Sequence, residues 1–164
     1  MFRVSLANAF AKRTLRPLLE KHQATPLAVT LSADETDDIY SGMVAALRSD
    51  GTVEIADDDT TNPFGLFALD RNSVINDTDG QPADGSSVGT TSGRAFAVWQ
   101  GGPDAYFRLD LPAFEEGSYT AGDALYVSSA GKLTNSGSGT KVGTVVEVVS
   151  SSRLVVRIGM PQNL

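Results

Sequence analysis

The stretch that decides the fold is Gly42-Met43-Val44-Ala45-Ala46-Leu47, followed by Gly51-Thr52-Val53, because the chain repeats its pattern later. The later copy reads Gly122-Asp123-Ala124-Leu125-Tyr126-Val127, followed by Gly131-Lys132-Leu133. In both copies the second glycine lies nine residues after the first. Each copy has the form of an apolar strand, a turn and a second strand, which is the pattern of a β-hairpin.

A third glycine extends the similarity between the two copies. It is Gly65 in the first copy, in Phe64-Gly65-Leu66, and Gly143 in the second, in Val142-Gly143-Thr144. The spacing to this glycine is 14 residues in the first copy and 12 in the second, a difference that a loop deletion would absorb. Self-similarity of this kind indicates a repeated architecture. We therefore predict two related hairpin units, at residues 42–69 and 122–148.

Short apolar runs separated by turn residues continue along the chain after Pro26. Besides the hairpin of Gly42–Ala56, we predict strands at Leu27–Leu31, Phe64–Leu69, Arg94–Gln100, Ala105–Leu111, Tyr119–Val127, Lys132–Thr134, Lys141–Val149 and Arg153–Met160. About nine or ten short strands with regular turn signals predict a mainly β fold, a small β-barrel or β-sandwich. We predict a single β domain at residues 26–164, preceded by a basic arm at residues 1–25.

The arm holds the one helical pattern of the sequence, over residues 2–22, with apolar residues at helical spacing. Pro17 disfavours helix for Arg16, so we expect the arm to be a short helix ending near there, or extended. The arm carries five basic residues against one acidic residue, for a net charge of +4, and the remainder of the chain carries −11. An acidic body does not suit binding to nucleic acid phosphates. The arm suits either an acidic surface on a partner or neighbour, or the chain's own acidic domain.

The composition excludes several kinds of chemistry. The chain has no cysteine, which excludes disulfides, thiol catalysis and thiolate-bound zinc, and its single histidine, His22, leaves little basis for a triad or a histidine metal site. No apolar run reaches the roughly 18 residues of a membrane span, and a signal peptide is not expected. We predict no catalytic residues, no metal site, no cofactor and no membrane partner.

The remaining motifs with possible chemistry match their templates poorly. Asp77, Asp79 and Asp84 could form an irregular calcium site, although Ile75 and Ser86 stand where a calcium loop needs ligands. The adjacent pair Glu115-Glu116 could do acid–base work, but we expect it to be solvated, since nothing else in the sequence indicates a cleft. A peptidase-like barrel would need a paired serine and lysine, and no such pair stands out.

Trp99 is the one residue that suggests a ligand platform. With the polar loop of residues 70–93 beside it, an exposed Trp99 could form the site of a carbohydrate- or cell-surface-binding module. The alternating strand on which it lies favours packing in the core instead. This binding module is the alternative function.

A C-terminal stretch of roughly a quarter of the chain resembles the small β-rich head decoration (cement) proteins of tailed bacteriophages. The resemblance covers residues 118–160 and consists of short motifs in a fixed order. The motifs are Gly122-Asp123 with the apolar strand Ala124–Val127, then Gly131-Lys132-Leu133-Thr134, a polar loop, Val142-Gly143-Thr144-Val145, and a final valine-rich strand, Leu154–Ile158. It implies a non-enzymatic virion protein that binds the outer surface of the capsid. By this resemblance, the expected partners are the major capsid protein, whose neighbouring subunits it would stabilise, and further copies of the chain, commonly as a trimer.

The arm has the apolar and basic side chains that such docking needs. Buried apolar side chains would stabilise a capsid contact by about 25 cal/mol per Å². The residues that we predict to contact capsid or neighbouring copies are Phe2, Arg3, Leu6, Phe10, Arg13 and Arg16.

Overall fold

The computed structural model describes residues 15–17, 27–35, 37, 39–68, 95–101 and 105–160. Within these ranges the regular structure consists of β-strands, so the predicted mainly β fold is confirmed. Of the predicted helical pattern in the arm, Leu15–Pro17 is a strand, in agreement with the bias that Pro17 imposes on Arg16. The other residues of that pattern lie outside the described residues.

The described residues form eleven strands in two antiparallel sheets. The strands are β1 (Leu15–Pro17), β2 (Leu27–Thr30), β3 (Val44–Leu47), β4 (Val53–Ile55), β5 (Pro63–Phe67), β6 (Ala95–Trp99), β7 (Tyr106–Asp110), β8 (Ala124–Val127), β9 (Leu133–Thr134), β10 (Gly143–Ser150) and β11 (Arg153–Ile158). One sheet has the order β2-β6-β5-β3-β4, and the other has the order β1-β7-β11-β10-β8-β9.

The two sheets have the same topology once β1 is set aside. In each, the first strand along the chain pairs with the fifth, the fifth with the fourth, the fourth with the second and the second with the third. We call residues 27–99 repeat 1 and residues 106–158 repeat 2. The similarity between the glycine patterns therefore extends from two hairpins to two whole sheets.

The strand register makes the two repeats equivalent residue by residue. Leu47 pairs with Val53 across the hairpin of repeat 1, and Val127 pairs with Leu133 in repeat 2, so the numbers of equivalent residues differ by 80 in the first three strands. The difference is 78 in the fourth strands and 58 in the fifth strands. Among the described residues four glycines have positive φ angles, Gly42, Gly51, Gly122 and Gly131, and they form two equivalent pairs. The positive φ at each turn explains why these positions are glycine.

The third glycine of each copy serves a second purpose. A Cβ on Gly65 would meet the backbone carbonyl of Trp99, and a Cβ on Gly143 would lie 2.6 Å from the carbonyl oxygen of Arg157. Both glycines therefore allow the neighbouring strand, β6 or β11, to approach closely. The two-residue difference in spacing noted in the sequence falls in the loop before this glycine.

Each sheet curls so that strands near its two ends meet. In repeat 1 an isolated bridge joins Leu31, just after β2, to Val53 of β4, and in repeat 2 a bridge joins Phe114, after β7, to Leu133 of β9. The same hydrogen bond completes both closures, from the amide following the bridge residue to the carbonyl oxygen of Val53 or Leu133, at 2.8 Å. Each repeat is thus a small, partly closed barrel.

Two hydrophobic clusters fill this architecture. The smaller one lies within repeat 1 and consists of Leu31, Ile39, Met43, Ala45, Val53, Phe67 and Val98. The larger one combines residues of both repeats with Leu15 of β1. At the junction between the repeats, the ring of Trp99 meets that of Phe107 edge to face, with centroids 6.0 Å apart. The two repeats therefore share a continuous core.

Candidate interaction surfaces

The arm is attached to the body through β1, the outermost strand of the six-stranded sheet. Leu15 pairs with Leu109 of β7 and is only 1% exposed, which makes it a core residue. Arg16 lies opposite Arg108 in the same strand pair. Of the predicted docking residues, Phe2, Arg3, Leu6, Phe10 and Arg13 lie outside the described residues.

An exposed valine surface lies at the end of the β10–β11 hairpin. Val146, Val148 and Val149 are 43%, 39% and 49% exposed. Regular alternation would bury every second residue, but the register shifts between Val145 and Glu147 and again between Val148 and Ser150. The sequence pattern Val-Val-Glu-Val-Val already departs from strict alternation, which is the signal that could have predicted this surface.

A cleft of about 470 Å³ opens on the side of repeat 2. Its walls come from three loops, at residues 115–119, 127–129 and 134–137, together with Asp58 of repeat 1. Glu115 and Glu116, beside which the sequence showed no sign of a cleft, both line it. The sequence could not show this, since the three loops are brought together by the closure of the barrel.

The polar groups in the cleft hold its loops in place. Glu115 accepts a hydrogen bond from Ser128 Oγ at 2.8 Å with its carboxylate, and one from Tyr119 Oη at 2.7 Å with its backbone oxygen. Partial burial, followed by the nearby charge of Glu115, raises the pKa of Tyr119 to about 12. The Ser128 hydroxyl in turn accepts from the backbone N–H of Lys132 at 3.2 Å. Through these hydrogen bonds, Glu115 and Ser128 hold the loops of repeat 2 together.

One further tie fixes the turn at the mouth of the cleft. Asn135 donates to Asp123 Oδ2 at 2.9 Å and to the backbone oxygen of Ser118 at 2.8 Å. Asp123 also accepts from the backbone N–H of Thr120 at 2.8 Å. The hydrogen bond from Asn135, followed by that from Thr120, lowers the pKa of Asp123.

Trp99 packs in the core, as its alternating strand predicts. It is 9% exposed and lies against Phe107, so its ring is not available as a platform for a sugar. The loop of residues 70–93, including Asp77, Asp79 and Asp84, lies outside the described residues. Within the described ranges, no group of three or more histidine, cysteine, aspartate or glutamate side chains could hold a metal ion. Over those same ranges, no helix has the length and apolarity to cross a membrane.

Comparison with known families identifies the chain along almost its whole length. The family model described as phage cement protein matches residues 1–163. No curated protein matches the chain. The match includes the arm and both repeats, whereas the sequence motifs on which the resemblance to cement proteins was based lie only within repeat 2. The chain belongs to the phage cement protein family.

Proposed function

We propose that this protein is a non-enzymatic structural protein of a tailed-phage virion that binds the outer surface of the capsid. There it stabilises neighbouring major capsid subunits, and it acts as a homo-oligomer, for which we propose a trimer. The observation that carries this proposal is membership of the cement family over residues 1–163. The family supports a structural, capsid-associated role.

The arm is the first contact that we propose with the capsid or with neighbouring copies. Its residues Phe2, Leu6 and Phe10 supply apolar area, and Arg3, Arg13 and Arg16 supply positive charge. A fully buried phenylalanine removes about 150–250 Å² from water, and burying its side chain is worth about 1.5–3 kcal/mol. Burial of even part of this area would dominate the binding free energy of one contact.

The valine surface is the second contact that we propose. Val146, Val148 and Val149 place apolar side chains in water on a hairpin next to the ion pair between Arg153 and Asp110. Apolar side chains that stay exposed in the folded chain gain free energy when a partner covers them. Such a contact would be repeated at every copy bound to a shell.

The test is co-sedimentation with empty heads that lack the protein. A chain without residues 2–13 keeps Leu15, so its body retains the core contact that β1 makes. We expect this deletion to weaken binding by more than about tenfold, and Val148→Lys to weaken it less, because a single side chain is changed. The bound fraction is measured against free protein concentration.

Two controls accompany this experiment. Lys141→Ser changes an exposed residue of the body and should leave binding unchanged. Urea unfolding of the deleted chain should show that its body remains folded. Undiminished shell binding by the chain without residues 2–13 would contradict the role of the arm, and no binding by the unaltered chain would contradict the proposed function.

The alternative of a carbohydrate-binding module lacks its main support, because Trp99 is buried. A glycan array separates the two functions, since a cement protein should show no saccharide preference.

A further inference from the structure

The junction between the two repeats is a head-to-tail contact. The carbonyl oxygen of Gly131 in repeat 2 accepts a hydrogen bond from the backbone N–H of Val44 in repeat 1, at 2.8 Å. A two-fold arrangement would require the equivalent bond, between Gly51 and Ala124. Instead, no described atom lies within 4 Å of where a Cβ on Gly51 would be. Repeat 2 therefore contributes one kind of surface to the junction, and repeat 1 contributes another.

We call the contribution of repeat 2 the turn surface, defined by Phe107, Leu109 and Gly131. We call the contribution of repeat 1 the receiving surface, defined by Gly42, Val44 and Trp99. Phe107 meets the ring of Trp99, and a Cβ on Gly42 would lie 3.2 Å from Leu109 Cδ2. All six residues are buried, as expected for two surfaces that cover each other.

The duplication places a second turn surface on repeat 1. By the strand register its residues are Leu27, Val29 and Gly51, equivalent to Phe107, Leu109 and Gly131. Leu27 is 45% exposed, whereas Phe107 is fully buried. Gly51 is exposed, whereas Gly131 is buried. Val29 is partly buried against the smaller cluster of repeat 1. Within the described part of the chain, this turn surface is thus uncovered at Leu27 and Gly51.

The duplication also places a second receiving surface on repeat 2. Its residues are Gly122, Ala124 and Arg157, equivalent to Gly42, Val44 and Trp99. Gly122 and Arg157 are exposed and Ala124 is partly exposed. As for Gly51, no described atom lies within 4 Å of a Cβ built on Gly122. One chain therefore carries both halves of the junction in an unused form.

We propose that the free turn surface of one copy packs on the free receiving surface of the next, repeating the internal junction between chains. The occupant of each surface is a second copy of this chain, because only the same chain carries both complementary halves. A head-to-tail contact forms a closed ring when its rotation closes and an open chain otherwise. This inference deepens the proposed homo-oligomer by naming its surfaces, and a closed trimer would contain six barrels.

The chemistry of the free surfaces indicates a weaker contact than the internal one. Arg157 replaces Trp99, and its aliphatic stem would cover Leu27 where the internal junction has two aromatic rings. The turn beside Gly51 carries Asp50, an exposed carboxylate that lies 4.0 Å from Arg48 of its own chain and has the opposite charge to Arg157. Interfaces between chains that also exist separately are as polar as the rest of the protein surface. We therefore expect association that strengthens with concentration.

The absence of cysteine from the chain allows a direct test by disulfide cross-linking. Within one chain, a Cβ on Gly131 would lie 2.9 Å from the backbone oxygen of Ala56. The residues equivalent to Gly131 and Ala56 are Gly51 and Ser136. The proposed contact between copies therefore brings the Gly51 turn of one copy close to Ser136 of the next. A chain with Asp50→Cys is mixed with a chain carrying Ser136→Cys under mild oxidation. Both positions are exposed, and neither change alters a glycine with positive φ. We expect a linked pair of the two chains, measured by mass spectrometry.

The control replaces Ser136→Cys by Ser151→Cys, an exposed position in the β10–β11 turn. The proposal requires several-fold more linkage between positions 50 and 136 than between positions 50 and 151. Adding Leu27→Lys to the Asp50→Cys chain should reduce the linkage several-fold, because Leu27 is 45% exposed on the turn surface. Thr61→Lys, at an exposed position outside both surfaces, should not reduce it. Equal linkage in the two mixtures, or no effect of Leu27→Lys, overturns the proposal. The isolated protein is used throughout, so failure of capsid binding would leave this result unaffected.

Discussion

Repeat 1 and repeat 2 form the same turn before their second strand with different side chains, because only one of the two turns is covered. In repeat 2, Asp123 accepts the backbone N–H of Thr120 at 2.8 Å. In repeat 1 the equivalent residue is Met43, whose sulfur lies 3.2 Å from the backbone nitrogen of Tyr40. Met43 is 4% exposed and its methyl group lies near Gly131, where a carboxylate would be desolvated. The backbone is thus common to both repeats, and the local environment decides the side chain.

A second difference concerns how each repeat fastens its hairpin turn. In repeat 1, Arg48 forms ion pairs with Glu54 at 2.6 Å and Asp34 at 3.4 Å. In repeat 2 the equivalent of Arg48 is Ser128, which donates to Glu115. Both arrangements connect the turn to the segment that follows the first strand of the repeat. Exposed ion pairs contribute little to stability, so we interpret both as aids to loop geometry.

The largest expected effect concerns Trp99 and its equivalent, Arg157. Trp99→Ala should lower the free energy of unfolding by about 3–5 kcal/mol, because it opens a cavity at the junction. Arg157→Ala should change it by less than about 0.5 kcal/mol, because that side chain is exposed. Urea unfolding of the two variants measures the difference.

Trp99→Phe serves as the conservative variant in case Trp99→Ala does not fold. It keeps a ring near Phe107 and should lose less stability than the alanine variant. Similar losses of unfolding free energy at positions 99 and 157 would contradict the assignment of the Trp99 side chain to the junction and of the Arg157 side chain to solvent.

A smaller effect is expected at the turn glycines. Gly51→Ala should cost about 1–2 kcal/mol, because alanine disfavours the positive φ of that turn, where no described atom would contact the new methyl group. Gly131→Ala should cost about 1–3 kcal/mol more, since its methyl group would overlap Ile55 and the carbonyl of Ala56. Urea unfolding of both variants gives the comparison, and equal losses would place the Gly131 turn outside the junction.

Much of this fold could be predicted from the sequence, because its signals are local. Turns that need positive φ are indicated by the nine-residue spacing of Gly42 and Gly51 and of Gly122 and Gly131. The apolar runs indicate strands. The extent of the duplication could not be predicted, because β6 and β11 share little sequence and correspond only through pairing. The exposure of Leu27 and the burial of Phe107 were equally hidden, since they depend on how two similar barrels pack.

The predicted interaction residues remain largely predictions. The arm was identified from composition, and Arg16 is its one member within the described strands. The valine surface was missed although its Val-Val-Glu-Val-Val pattern departs from strict alternation, as the bulges in β10 require. The cleft was missed because it forms only where three loops meet in the folded chain. The division into an arm of residues 1–25 and a domain of residues 26–164 also stays a prediction, and β1 shows that the sheet takes a strand from the arm's range.

The smallest expected effect concerns the acid titration of the turn before the second strand of repeat 2. There Asp123 occupies the position that Met43 has in repeat 1. Hydrogen bonds from Asn135 and Thr120 lower the pKa of Asp123 from its usual value of 3.8, so its stabilising contribution is present at higher pH and is lost as pH falls through the folded pKa. Asn135→Ala removes the first of these bonds and should raise the pKa, which the carboxyl carbon signal reports in an NMR titration. Asn135→Asp, which adds a charge beside Asp123, should raise it further. The turn of repeat 1 has no titrating group at this position, so acid should loosen the turn of repeat 2 first, and simultaneous loosening of both turns would contradict the comparison.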